Sequence, residues 1–284
     1  MIRATPADRD AIMAFLMTRP TVAMFPITNL RDHGMEGGHP KAMRFWMAQD
    51  GGQITDVLGI SDSGVVLPVF STNQPRDIRA ALQSCDITGI IGQGAPVSEV
   101  KAALELPDGT LNRVEPHFEL ALERLKMPNT TGLSIVPVAA VPREEMIVWR
   151  RQYGIDALDL EPSESGIQAI DAVDRMIARN THRVLLADGA PVAVTGFNAI
   201  LPEAVMVGGV YTPKYLRGRG FARARGFARA ALALHLAEAR SKGVKRAVLS
   251  AANAIAAKTY TAIGFQQIGD FMIVLYDTPQ TSNV

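Results

Sequence analysis

A strand pattern at Val205–Tyr211 passes through a glycine-punctuated entry into a helical pattern that runs from about Gly220 to Lys242 and stops at Gly243. This stretch constrains the fold most. A strand feeding a long helix needs another strand to return to, and the apolar run Ala247–Ser250 supplies one. The surroundings continue the rhythm. Upstream, Leu133–Val138 is predicted as a strand and Arg143–Tyr153 as a helix with Met146, Trp149 and Tyr153 on one face. Ser163–Arg179 is predicted as a second helix, with capping residues Ser163 and Ser165 and with Ile167, Ile170, Val173 and Ile177 at helical spacing. Arg183–Ala187 and Val192–Asn198 join through Asp188-Gly189, a hairpin signal. Downstream, Ala254–Ile263 reads as a short helix closed by Gly264, and Phe271–Tyr276 as the last strand. Helices alternating with strands after a meander predict an α/β or α+β domain.

The N-terminal half follows a similar order. Strands are predicted at Ile2–Ala4, Phe45–Ala48, Asp56–Ser61, Val65–Phe70, Ile87–Ile91 and Phe118–Leu122. Helices are predicted at Ala7–Leu16, Arg76–Ser84 and Ser98–Leu106. The parallel order is a weak internal duplication without a strict repeat. Between the halves, the stretch Met127–Pro142 carries three prolines and an Asn-Thr-Thr-Gly cluster. It divides the chain into expected domains at 1–128 and 129–284, and a length of 284 residues suits two domains.

Composition excludes several classes. With 48% hydrophobic and 20% charged residues and a net charge of +1, the chain is neither disordered nor collagen-like nor a coiled coil. No apolar run approaches the length of a membrane span, and the N-terminal MIRATPADRDAIMAFL carries acids where a secretory signal needs an unbroken apolar stretch. The single cysteine, Cys85, cannot form an internal disulfide and suits a small buried position. A cytoplasmic location and no membrane partner are therefore expected. One cysteine and five histidines leave little material for a zinc site, so no metal is expected. Charge is uneven, however. Between Lys214 and Arg246 stand ten basic residues and one acid, Glu238. Such a patch attracts a polyanion, unless it is simply a solvated helix face. No aromatic platform accompanies it, so nucleic acid is not the expected partner.

The chemistry lies in Val210-Tyr-Thr-Pro213-Lys-Tyr-Leu-Arg217-Gly218-Arg219-Gly220-Phe221-Ala222. The first turn of a helix has backbone N–H groups without intrahelical partners, and the helix dipole places partial positive charge there. Glycines at 218 and 220 keep side chains away from those groups, giving a cradle for a phosphate or pyrophosphate. No Gly-Lys-Ser/Thr follows, so this is not a Walker loop. The third glycine and downstream acid of a dinucleotide fingerprint are also missing.

Arg217-Gly-Arg-Gly220-Phe-Ala222 resembles the Arg/Gln-x-x-Gly-x-Gly/Ala loop of the GNAT superfamily of acetyl-CoA-dependent N-acyltransferases. Further on, Asn253-x-x-Ala256-x-x-x-Tyr260-x-x-x-Gly264-Phe265 resembles that family's later strand–helix segment. The resemblance covers about Leu133 to Tyr276. It implies two GNAT-like domains, each a mixed, mostly antiparallel sheet flanked by helices. It also implies acetyl-CoA as cofactor and direct acetyl transfer to a small-molecule or peptide amine through a tetrahedral intermediate, in a monomer or homodimer. By the same resemblance, the backbone at Val210 and Thr212 would pair with the pantetheine arm. The N–H groups of Arg217, Gly218, Arg219, Gly220, Phe221 and Ala222 would hold the pyrophosphate. Asn253 would bond the pantetheine, and Tyr260 would protonate the leaving thiolate. An amino-acid N-acyltransferase and a non-catalytic coenzyme A sensor are the alternatives.

The amine must be neutral to attack, which calls for a base. Val205–Val210 contains no acid, and Glu203 just before it is the nearby candidate. Asp156, Asp159 and Glu161 lie between the two helices that flank the acceptor site in this family, where they could recognise a cationic acceptor. His182 suits a surface or strand-start position, and Trp149 and Tyr153 suit the core. In the N-terminal half, Ser71-Thr-Asn-Gln-Pro-Arg-Asp77 stands where the cradle would be, so that half resembles a degenerate partner.

Overall fold

A computed structural model describes residues 1–71, 77–158, 160–217 and 226–281. The first half contains β1 (Ile2–Arg3), α1 (Arg9–Met17), α2 (Pro20–His33), β2 (Met43–Asp50), β3 (Gln53–Ser61), β4 (Val65–Val69), α3 (Ile78–Leu82), β5 (Ile87–Gln93), α4 (Gly94–Ala103) and β6 (Leu111–Ala121). The second repeats the order: β7 (Leu133–Pro137), α5 (Arg143–Leu158), α6 (Pro162–Arg179), β8 (His182–Ala187), β9 (Ala190–Ile200), β10 (Ala204–Tyr211), α7 (Phe227–Ser241), β11 (Arg246–Ser250), α8 (Ala254–Thr261) and β12 (Gln266–Gln280). Each half is thus a strand, two helices, a three-strand meander, and then helix, strand, helix, strand.

Compactness does not follow the expected cut between 128 and 129. One unit is Met1–His117 with the residues from Ile268 onward, and the other is Phe118–Gln267. The cause is hydrogen bonding. The last strand of the chain, β12, pairs antiparallel with β5, with Phe271 opposite Gln93 and Leu275 opposite Gly89. The end of β6 lies beside β11. Each half therefore gives its closing strand to the other unit, which no linear boundary signal records.

In the first unit the strand order is β1-β2-β3-β4-β5-β12. Only β4 and β5 run parallel, because α3 carries the chain back between them while the meander strands turn tightly. Trp46, Leu58, Ile60, Leu82, Ile90 and Val97 build the core with Val274 of β12, and Cys85 is buried among them. Helix α2 has no counterpart in the sequence reading. Pro20 starts it, Pro26 lies inside it, and Ala23 leaves helical geometry at φ −111°, so its pattern is broken as a helix should not be.

In the second unit the order is β7-β8-β9-β10-β11 with the end of β6 beyond. The hairpin between β8 and β9 turns at Asp188 and Gly189, both at positive φ (51° and 81°), as the Asp-Gly pair requires. Helix α7 packs one face of the sheet through Leu232 and Leu236 against Val205, Val207 and Leu249. Helices α5 and α6 cover the other face through Met146, Trp149 and Val173, against Val184 and Tyr211. The helix expected to begin at Gly220 does not run unbroken to Lys242. Gly226, at φ +128°, lies outside helical geometry, and the described helix begins at Phe227.

Helix α6 presents a different face from the one its isoleucines suggest. Ile167 is 73% exposed and Ile170 46%, while Ser165, Ala169, Ala172 and Val173 are buried. Close approach selects the small residues. Gly154 of α5 faces Ser165, whose Oγ donates to the Arg151 carbonyl oxygen at 2.7 Å, and a Cβ at Gly154 would collide with the Ser165 Oγ. Helix propensity alone would make Gly154→Ala stabilising by about 1 kcal/mol. Overpacking at this crossing is expected to reverse the sign, with a net loss of about 1–2 kcal/mol in denaturant unfolding. A stabilised variant would show that the two helices separate freely.

Candidate active site

Strands β10 and β11 run parallel from Ala204 opposite Arg246 to Met206 opposite Val248, and their pairing ends there. Beyond that point β10 continues to Tyr211, bulged against β9 between Met206 and Val207 and again between Gly208 and Tyr211. Val210, Thr212 and the start of α8 therefore stand at the same end of the two strands, where the strands have parted. Thr212 is buried, and its Oγ1 has no hydrogen-bond partner among the described residues. The buried Nε of Arg229, in the first turn of α7, also has none among them. Buried polar atoms are almost always paired, so these two point to a missing polar partner.

Gly218, Arg219, Gly220, Phe221 and Ala222 lie outside the described residues. Arg217, just before them, turns back. Its Nε donates to the Thr212 carbonyl oxygen at 2.6 Å, and its guanidinium lies 5.1 Å over the Tyr211 ring. Asn253 is the N-cap of α8, its Oδ1 accepting from the Ala256 N–H at 2.9 Å. Tyr260, on the same helix, is half-buried against the α7 side of the core, with its ring 6.1 Å from that of Phe265.

Glu203 stands away from that end of the strands. It stands in the turn before β10, exposed and ion-paired with Lys245, while its carbonyl oxygen accepts from the N–H groups of Lys245 and Arg246. The length of β10 separates it from Val210, roughly 20 Å at the usual strand rise.

Asp156 takes the central place instead. Its side chain is 3% exposed and accepts from Lys214 Nζ at 2.7 Å, Gln152 Nε2 at 2.7 Å and the Tyr211 hydroxyl at 3.1 Å, with Arg217 at 3.8 Å. Burial pushes its pKa up, but the hydrogen bonds from Lys214, Gln152 and Tyr211 and the Lys214 charge outweigh burial and hold it below the usual carboxylate value. Its carboxylate is already paired with Lys214. Asp159 lies outside the described residues, and Glu161 precedes α6 as its N-cap.

Of the basic segment, Arg219, Arg223 and Arg225 lie outside the described residues, and several of the others form local pairs. Lys242 meets Glu238, Lys245 meets Glu203, Arg246 meets Glu119, and Arg240 donates to the Leu122 carbonyl oxygen.

A mostly apolar pocket opens between α5, α6 and strands β8–β10, lined by Val138, Met146, Trp149, Tyr153, Met176 and Val194, with Arg150, His182 and Gly209. His182 is the first residue of β8 and is buried rather than on the surface. Its ring occupies space left by two glycines. A Cβ at Gly196 would collide with it, and one at Gly209 would lie 3.4 Å from Nε2. Gly209 is also at φ +64°, inside the β10 bulge. Burial, with the nearby charges of Arg150 and Arg183, pushes the His182 pKa down to about 4, so the imidazole is neutral at pH 7. The sequence reading placed Trp149 and Tyr153 in the core without the pocket. Trp149 is indeed a core residue, but it also forms the pocket wall.

Among the described residues no helix is long and apolar enough to cross a membrane, and no group of His, Cys, Asp and Glu could hold a metal ion. No protein-family model and no curated protein matches the chain by sequence. Solved structures do match. A GCN5-related N-acetyltransferase from Sphaerobacter thermophilus is similar over 100% of this chain and 96% of its own, at 13% identity and a TM-score of 0.57. A tandem GNAT protein from the clavulanic acid biosynthesis pathway is similar over 96% of each chain, at 14% identity and a TM-score of 0.53. A Drosophila protein is similar over 97% of this chain and 98% of its own, at 12% identity and a TM-score of 0.61. With a mixed, mostly antiparallel sheet flanked by helices in each half, the chain has the fold of a two-part GNAT protein.

Proposed function

We propose that the chain is an N-acetyltransferase that moves an acetyl group from acetyl-CoA to an amine, with one active site in the second unit. The observation that carries this reading is the parting of β10 from β11 beside the orphaned Thr212 hydroxyl. A strand edge released from its neighbour keeps its backbone donors and acceptors and can hydrogen-bond an extended ligand arm. Pantetheine is such an arm, and Thr212 Oγ1 gains the partner it lacks. Arg229 and the glycine-flanked N–H groups of residues 217–222 suit the phosphates.

When bound, acetyl-CoA supplies an activated acyl thioester. Val210 and Thr212 bind and orient the arm. Asn253, with Oδ1 committed to Ala256, offers its Nδ2 protons to it. Tyr260 would donate its Oη proton to the leaving sulfur and be reprotonated from solvent, which takes up the proton that the amine loses. In the first unit the stretch Ser71–Asp77 carries no Gly-x-Gly.

The test is release of free thiol from acetyl-CoA by the full chain across a panel of amines, beside calorimetric binding of coenzyme A. Amine-dependent thiol release supports the reading. Tight binding without release with any amine would make the chain a non-catalytic coenzyme A sensor, and absence of binding would remove the reading altogether. In the cradle, Gly220→Glu is expected to weaken coenzyme A at least about tenfold, roughly 1.4 kcal/mol. Undiminished binding would take the loop out of the site.

A further inference from the structure

Resting on the coenzyme A site of the acetyltransferase reading, we propose that Asp156 is a positioning residue for the cofactor's phosphates: it holds the turn Lys214–Leu216, and Arg217 after it, in the geometry that receives them. The carboxylate belongs to another part of the chain. It projects from near the C-terminal end of α5, where Gln152, one turn earlier, fixes it at 2.7 Å. The Tyr211 hydroxyl aims it from the end of β10, at 3.1 Å. Burial, together with the Asp156 charge, pushes the Tyr211 phenol pKa up, so the hydroxyl stays a donor. Held from both sides, the carboxylate takes Lys214 Nζ at 2.7 Å and faces Arg217 Nη2 at 3.8 Å. Arg217 in turn reaches back through Nε to the Thr212 carbonyl oxygen.

Strand and turn depend on Asp156 differently. Tyr211 pairs with Val194 of β9, and Thr212 follows it directly, so the edge offered to the pantetheine arm is anchored by the sheet. The turn beyond has left the sheet. Its two cations repel each other, and the carboxylate they share offsets that repulsion. Exposure separates the roles. The Asp156 side chain is 3% exposed and too buried to touch a ligand, whereas those of Lys214 and Arg217 are 65% and 46% exposed and open to one. Two cations against one anion leave the turn a net positive charge, which suits a diphosphate. An anion binds well only to molecules whose cations already stand in place. Fixing the turn therefore raises affinity without any contact between Asp156 and the anion. Coulomb's law alone predicts the opposite. For a mere bystander, removing a negative charge beside a polyanion strengthens binding, because a repulsion vanishes and two cations are released.

The experiment uses the full chain as wild type and as Asp156→Asn, which keeps the shape and deletes the charge. Both are measured at a temperature where circular dichroism shows them folded. Calorimetry reads coenzyme A. Displacement of coenzyme A reads pantetheine, which has the arm without the phosphates. In Asp156→Asn coenzyme A is expected to bind at least about tenfold more weakly, with pantetheine within about twofold of wild type. Unchanged or tighter coenzyme A binding overturns the proposal. So does an equal loss for both ligands, which is what a merely structural aspartate would give. Tyr211→Phe serves if the asparagine variant does not fold. It changes no charge and removes one of the bonds that aim the carboxylate, so coenzyme A is expected to weaken about threefold with pantetheine unchanged. Undiminished coenzyme A binding in that variant also overturns the proposal. Thiol release separates the proposal from the acetyltransferase reading. The expected affinity pattern, without thiol release from acetyl-CoA by any amine, supports the role of Asp156 and removes the catalytic reading. Amine-dependent thiol release by the wild type, with coenzyme A affinity undiminished in Asp156→Asn, removes the role and keeps that reading. A wild type that binds no coenzyme A overturns both.

Discussion

Replacing Tyr260 by phenylalanine is expected to lower kcat at least about tenfold while leaving coenzyme A affinity within about twofold. The leaving thiolate has a free pKa of about 8.5, so near neutral pH it departs better with a proton donor. A positioned donor typically contributes about 10²–10⁴-fold, and water can recover part of that. The ring is held by apolar packing beside Phe265 and the α7 side of the core, and phenylalanine keeps that packing. The substitution therefore removes a hydroxyl and little else. Wild-type turnover from pH 6 to 9, under conditions where chemistry limits the rate, would make Tyr260 a core residue and send the search for the acid elsewhere.

Asp156→Ala is expected to destabilise the protein by about 2–4 kcal/mol. The cost comes from the Tyr211 hydroxyl, which loses its acceptor in a buried setting, and from Lys214 and Arg217, which lose their shared counterion. Both cations are substantially exposed and can turn to water, which keeps the loss below that of stranding a fully buried charge. Asp156→Asn keeps the shape and should recover about half. The pH dependence has a definite sign. The folded carboxyl is held below its ordinary pKa, so its contribution is complete above about pH 4 and fades as pH falls further. The stability gap between wild type and Asp156→Asn, read by urea denaturation, should therefore narrow on acidification below pH 4. A gap that stays constant would show that Asp156 acts through shape rather than charge.

The elements legible in the sequence were those whose pattern and punctuation agree. Asp188-Gly189 marked its hairpin, Gly243 and Gly264 marked helix ends at φ +95° and +109°, and the parallel pair around α7 followed from strand, helix and strand in succession. The failures have physical causes. Helix α2 was hidden by Pro20 and Pro26. The buried face of α6 followed the close contact of Gly154 with Ser165, which no hydrophobic count predicts. Glu203 looked near the site because it adjoins the right strand, but a strand has two ends. Asp156 and Arg150 lie far in sequence from the glycine loop and reach the end of β10 only through helix packing. A buried acid among scattered surface acids carries no sequence signal of its own.

The closing strands bear on how such a chain is made and inherited. The β5 edge of the first unit is covered by β12, whose residues follow those of β5 by some 170 positions in the chain. Until they emerge, a nascent first half exposes a strand edge able to pair with other chains, a hazard that grows with the delay. A chain truncated after the first half would keep that edge open, and one lacking the first half would lose the strand that borders β11. Neither half can be shed by a single deletion without unsealing a sheet. Once such an arrangement arises, its two copies are bound to a common fate: the first can lose its chemistry to mutation and still be retained, because the second needs its strand.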